Sequence, residues 1–190
     1  MATIHELQIQ NRSYRRFRQE PVPREIIDYA LENARIANSA VNEQLLRYTA
    51  VLSRENVGRL QPYVHWAAAL PPEIGTPHPN ERPTAFIVVT KAHDNTFLDI
   101  DLGIAAHSIT ISLIEHGYGS CILRNINAQA IQTLLDIPAA ETIGMVIAIG
   151  KPACTSTIVP VEKSSLKYYV DDQRNYYVPK LAFNKIVRYR

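Results

Sequence analysis

Hydrophobic positions recur every three or four residues between Pro23 and Ile36, at Ile26, Ile27, Ala30, Leu31 and Ala34. That spacing predicts a helix with one apolar stripe, and Pro23 suits a first helical position because no backbone N–H is needed there. Leu46 to Leu52 is rich in strand-forming residues, and Ser53 then opens a short helix through Leu60. Thr84 to Thr90 reads as a buried strand. The next helix ends near His116, before Gly117, and Thr96 with Asp99 resembles a capping box at its start. Its residues Leu102, Ile104, Ala105, Ala106, Ile109, Ile111, Leu113 and Ile114 are apolar on nearly all sides, so it must be covered from several directions. Tyr118 to Leu123 predicts a strand, Asn127 to Leu135 a helix, and Thr142 to Ile149 a strand closed by Gly150.

Two stretches break this rhythm. Residues 61–83 hold Pro62, Pro71, Pro72, Pro77, Pro79 and Pro83, which forbid a long regular element. Tyr63 and Trp66 give the stretch apolar anchors, so it reads as an ordered loop or candidate lid over a substrate pocket. Trp66 is equally well explained as a buried anchor. Residues 151–190 are mixed and Tyr-rich, with 178–190 a possible extended C-terminal arm. Across residues 1–190 a single domain is expected, with no repeat.

A hydrophobic share of 46% and a charged share of 20% fit an ordinary globular chain, and a net charge of +2 demands neither nucleic acid nor membrane. Two cysteines, Cys121 and Cys154, argue against a disulfide scaffold. No apolar leader or spanning run is visible, which points to the cytoplasm. The six histidines lack metal-ligand spacing, and no metal is expected. His107 reads as a hydrogen-bonded core residue, and Asp99 and Asp101 as charges favoured at a helix N-terminus. Gly117-Tyr118-Gly119 follows a helix and precedes a strand, the reverse of a dinucleotide fingerprint.

Candidate chemistry gathers in two places. Asn11-Arg12-Ser13-Tyr14-Arg15-Arg16-Phe17 concentrates guanidinium groups and a hydroxyl, which suit a phosphate monoester. A solvated basic loop explains the same residues as well, and a small RNA-binding module is a third reading. Asn38 to Gln44 offers carboxamides, at Asn42 and Gln44, that suit the edge of a heterocycle, although such residues also serve turns and caps. One ligand carries both features, flavin mononucleotide (FMN).

Taken in order, these segments resemble the FMN-dependent nitroreductase family. Arg12-Ser13-Tyr14-Arg15 resembles its phosphate motif, and Ser39 to Gln44 its Ser-x-x-Asn-x-Gln pattern. Glu81-Arg82-Pro83-Thr84-Ala85, Asp101 to Ala106, Gly117 to Cys121, Ile149 to Pro152 and Val178-Pro179-Lys180 complete the series. Asn11, the pair Leu45-Leu46, and Leu181 depart from the family's usual Arg, Pro-Trp and Arg.

The resemblance implies an α+β sandwich, a central mostly antiparallel sheet flanked by helices, in an intertwined homodimer with tightly bound FMN at the subunit interface. It implies that Arg12, Ser13 and Arg15 hold the phosphate and ribityl end, with Lys180 a further candidate. Asn42 and Gln44 would meet the flavin ring, Ser39 would reach the partner's flavin, and Gly119, Ser120 and Cys121 would lie near the reactive ring nitrogen. The implied activity is ping-pong reduction of nitroaromatics, quinones or activated alkenes by NADH or NADPH, with the flavin itself as the catalytic group. A non-catalytic flavin-binding sensor is the alternative.

Overall fold

The computed structural model describes residues 2–93, 97–162 and 165–190. It opens with a helix absent from the sequence reading, α1 (Ile4–Gln10). Its start is a reciprocal cap: the Thr3 hydroxyl accepts from the Glu6 N–H at 3.3 Å, while the Thr3 N–H donates to Glu6 at 2.7 Å. Helix α2 (Arg24–Ile36) buries Ile27, Ala30 and Ala34, and Pro23 sits one residue before it. Strand β1 (Leu46–Val51) leads into α3 (Arg54–Leu60), capped by the Ser53 hydroxyl.

Residues 61–83 contain one short helix, α4 (Pro72–Gly75), and two single 3-10 turns. This segment is tied near its start and at its middle. Val64 bridges Ile126, and the His65 N–H donates to the Asn125 carbonyl at 2.9 Å. Arg174 donates to the carbonyls of Ile74 and Thr76.

Strand β2 (Ala85–Lys91) precedes α5 (Leu98–Glu115). The capping role read for Thr96 lies outside the described residues. The far end of α5 is closed by Gly117 at φ +76°, with Gly117 N–H donating to Ile114 and Tyr118 N–H to Leu113. Then come β3 (Gly119–Leu123), α6 (Ala128–Leu134) and β4 (Thr142–Gly150). The four strands form one antiparallel sheet in the order β1-β2-β4-β3.

The strand alternation divides the core into two layers. Ala85, Ile87, Val89, Met145, Ile147 and Ile149 face α2 and α5, whereas Phe86, Val88, Val146, Ala148, Cys121 and Leu123 face α3, α6 and Val64. Burial on both faces explains why β2 reads as an unbroken apolar run. The result is an α+β sandwich with helices on both sides of the sheet.

The C-terminal part holds a second sheet that the sequence reading left unassigned. Strand β5 (Ser156–Pro160) runs parallel to β7 (Tyr176–Lys180), which pairs antiparallel with β6 (Tyr169–Val170). Val178 to Lys180 therefore belong to a strand, and the arm begins at Leu181. Leu181, Phe183, Ile186 and Tyr189 on this arm are all exposed.

Candidate active site

The segment from Asn11 to Arg18 is laid across the end of the large sheet. The Tyr14 N–H donates to the Ser120 carbonyl at 2.9 Å, the Arg18 N–H to Lys151 at 2.8 Å, and the Ala153 N–H to Arg16 at 2.9 Å. Gly119 and Gly150 stand opposite each other in the β3–β4 register. A Cβ on Gly119 would stand 2.7 Å from the Tyr14 ring, and one on Gly150 would stand 2.9 Å from the Phe17 Cβ. Bare backbone at this pair lets two aromatic side chains press onto the strands and fixes the segment between them.

This placement puts Arg12 and Ser13 at one end of a cleft of about 480 Å³. Its floor is β3, through Ser120 and Ile122, and the adjoining Arg124. Its wall is one face of α5, through Asp99, Leu102, Gly103, Ala106, His107 and Thr110. Helix α1 closes the Arg12 end: Gln8 bonds His107 at 2.8 Å and Asn11 donates to Thr110 at 3.0 Å. Arg12 donates one N–H to the Gln8 carbonyl at 2.8 Å, and its buried Nε, like those of Arg15 and Arg174 outside the cleft, has no hydrogen-bond partner among the described residues. A buried guanidinium N–H left unpaired is costly, and an anion at this place would satisfy it.

Arg15 does not line this cleft. Its guanidinium carbon lies 4.7 Å from the Tyr168 ring centroid and 5.1 Å from that of Tyr176. Arg16 turns instead to Glu81, at 2.7 Å, and Glu81 also holds Arg174 at 2.9 Å. Burial raises the Glu81 carboxyl, but the Arg16 and His78 hydrogen bonds and the two arginine charges outweigh it and leave the group below its usual range.

The second predicted cluster lies on the other flank of α5. Asp101, 5% exposed, accepts from the Ser39 hydroxyl at 2.7 Å and from the Ala40 N–H at 2.9 Å. The Ser39 oxygen in turn accepts from the Gln44 N–H at 3.1 Å. The loop so pinned carries Val41, Asn42 and Gln44 at φ of 53°, 57° and 52°, a region that side-chain-bearing residues avoid. Ser39 and Gln44 line a separate cleft of about 460 Å³, with Leu31, Leu45, Leu46 and Tyr48 among its walls. Asn42 is exposed and lines neither cleft. Within one chain, then, the basic segment and the carboxamide loop do not meet.

The remaining candidates are dispersed. Cys121 points into the core on the α3–α6 face, where burial pushes its thiol upward. Burial does the same to Cys154. Lys180 is exposed at the end of β7 and lines neither cleft. Tyr63 and Trp66 pack against the core layer of Val57, Leu60 and Phe86. Among the described residues, no group of His, Cys, Asp and Glu side chains could hold a metal ion, and no helix is long and apolar enough to cross a membrane.

Several lining residues escaped the sequence reading. His107 is exposed rather than a core residue, and Asp101, in the first turn of α5 as read, is also a buried acceptor. Arg124 received no role. The available signal was parity: Ser120, Ile122 and Arg124 alternate along one strand face, as do 99, 102, 103, 106, 107 and 110 along one helix face.

A sandwich with this sheet order matches solved structures of one fold. A nitroreductase family protein from Clostridium difficile 630 superposes with a TM-score of 0.69, 17% identity, and coverage of 99% of this chain and 98% of its own. An FMN-dependent nitroreductase from Clostridium difficile R20291 gives 0.65 at 20% identity, with 96% of each chain covered. Nitroreductase A from Vibrio parahaemolyticus RIMD 2210633 gives 0.66 at 20% identity, covering 88% of this chain and 78% of its own. No curated protein matches the sequence. Residues 9–151 match the nitroreductase family, and the chain belongs to that family of oxidoreductases.

Proposed function

We propose that this protein is an FMN-dependent oxidoreductase that draws on NADH or NADPH and reduces small organic acceptors such as nitroaromatics, quinones or activated alkenes in a ping-pong cycle. The observation that carries this reading is the unpaired, buried Nε of Arg12 at one end of the long cleft. The residues present fit FMN. Arg12 and Ser13 supply charged and hydroxyl donors for a phosphate monoester, and Leu102, Ala106, Ile122 and Met145 give apolar walls for a flat ring. A bound flavin would supply the hydride chemistry.

The chain's own work is binding, orientation and exclusion of water. Arg12 holds the tail, the Ser13–Ser120 bridge fixes the tail's position relative to β3, and α5 supplies the apolar wall. In this reading Arg15 steadies Tyr168 and Tyr176 rather than touching phosphate. The strained loop 39–44 lies on the far flank of α5, so its carboxamides would serve the flavin of a second copy, in a homodimer. Its exposed Val41, 83% accessible in the single chain, supports a surface kept for such a contact.

The test is titration with FMN under anaerobic conditions, followed by NADH or NADPH. The reading predicts a bound, perturbed flavin spectrum that bleaches with a nicotinamide donor and returns when an acceptor is added. Retained flavin that neither donor bleaches would leave only a flavin-binding protein without turnover.

A further inference from the structure

The cleft has a second charged end that the phosphate assignment does not use. Asn11 and Gln8 touch Thr110 and His107, so the Arg12 end lies beside the C-terminal half of α5. At the opposite end Leu102 packs on Gly144, where an added Cβ would stand 2.8 Å from its Cδ2, and Leu123 is in register with Val146. Asp99 lies one helical turn beyond Leu102, and Arg124 is one residue past Leu123. At roughly 3.3 Å of rise per residue, Arg124 stands about 13 Å along the strand from Ser120. Ile122 lies between them, 43% exposed because nothing in its own chain covers it.

Among the described residues the side chains of Arg124 and Asp99 have neither a hydrogen bond nor an ion pair, with each other or with any other group. The cleft therefore offers a cation at one end, an apolar floor, and an unpaired donor and acceptor at the other. β3 is also the outer strand of its sheet. The Ser120 carbonyl serves Tyr14, so by alternation the backbone of Ile122 faces the same open edge.

Building on the flavin reading above, we infer that Arg124 and Asp99 recognise the ring end of the ligand, with Arg124 donating to a ring carbonyl and Asp99 accepting from a ring N–H. Arg124 is then a positioning and tuning residue: its fixed positive charge favours the form of the ring that carries more negative charge. Asp99 acts with the opposite sign.

The experiment compares the wild type with Arg124→Ala, Arg124→Lys, Asp99→Asn and Arg12→Ala. It measures FMN affinity, riboflavin affinity and the midpoint potential of the bound flavin. Arg124→Ala should weaken FMN and riboflavin equally, by about tenfold, and lower the potential. Arg124→Lys should keep most of the potential while losing affinity, and Asp99→Asn should raise the potential. Arg12→Ala should weaken FMN alone, because riboflavin has no phosphate. Both Arg124 and Asp99 are exposed and uncommitted, so melting temperatures should stay within a degree or two of wild type. If the wild type binds neither flavin, the functional reading fails. If it binds both and Arg124→Ala changes neither affinity nor potential, that reading stands and this inference is overturned.

Discussion

The two predicted ligand segments, 11–17 and 39–44, are built by opposite means. The first is held by ordinary sheet-like hydrogen bonds and by aromatic rings seated on the Gly119–Gly150 pair, with its backbone relaxed throughout. The second is pulled into an unfavourable left-handed path at three residues and is pinned to α5 by Asp101. Such strain persists only when the surroundings overdetermine it. The contrast teaches that the proposed phosphate end is built within one chain, while the strained loop fits a contact outside it, as the proposed homodimer requires.

Breaking the pin on the strained side should have the largest effect. Asp101→Ala removes two charge-assisted bonds and leaves the Ser39 hydroxyl and the Ala40 N–H unpaired. A loss of about 3 kcal/mol is expected by denaturant unfolding, with a loss of FMN affinity smaller than that of Arg12→Ala, because the freed loop would no longer hold its carboxamides for the partner's flavin.

The next effect concerns the clasp behind the basic segment. Glu81 sits 14% exposed between Arg16 and Arg174, and Glu81→Gln should cost about 2 kcal/mol. Its folded carboxyl lies below the unfolded value of 4.5, so the stabilisation is fully present above pH 4.5 and fades as pH falls through the lower folded value. Thermal melts of wild type and variant should therefore converge in acid.

Smaller still is Arg15→Ala. It removes a cation from over two tyrosine rings and should lower stability by about 1 kcal/mol. If it abolished FMN binding instead while stability held, Arg15 would belong to the phosphate end after all. The smallest change runs the other way. Val41→Gly relieves one left-handed valine and should raise stability by about 1 kcal/mol, read from the melting temperature.

Much of the fold was legible because its signals are local and repeated. The apolar run of β2, the stripe of α2 and the glycine after α5 each state their element in a few neighbouring residues. The first helix was legible too, since Thr3 and Glu6 form its cap, but its seven residues hold no buried side chain to draw attention. The second sheet was not. Its strands are two to five residues long, two of them contain proline, and the parallel β5–β7 pair joins segments about twenty residues apart.

The site was legible only in part, for a related reason. The Arg12-Ser13 motif is contiguous, and it borders the cleft. Arg124 and Asp99 at one end and His107 at the other come to line one cleft only when a strand of period two lies against a helix of period 3.6. The resemblance implies ring contacts for the glycine turn. Packing assigns Gly119 to Tyr14 and the Cys121 side chain to the core, leaving Ser120 of the three to line the cleft.

The most direct test of the account is a titration of wild type and Arg12→Ala with FMN, read by the visible spectrum of the bound flavin. The account predicts saturable binding by the wild type and a loss on the order of a hundredfold in the variant, in keeping with about 2–3 kcal/mol for a charged hydrogen-bonded contact. Equal affinities, or a wild-type protein that leaves the flavin spectrum unmoved, would contradict it.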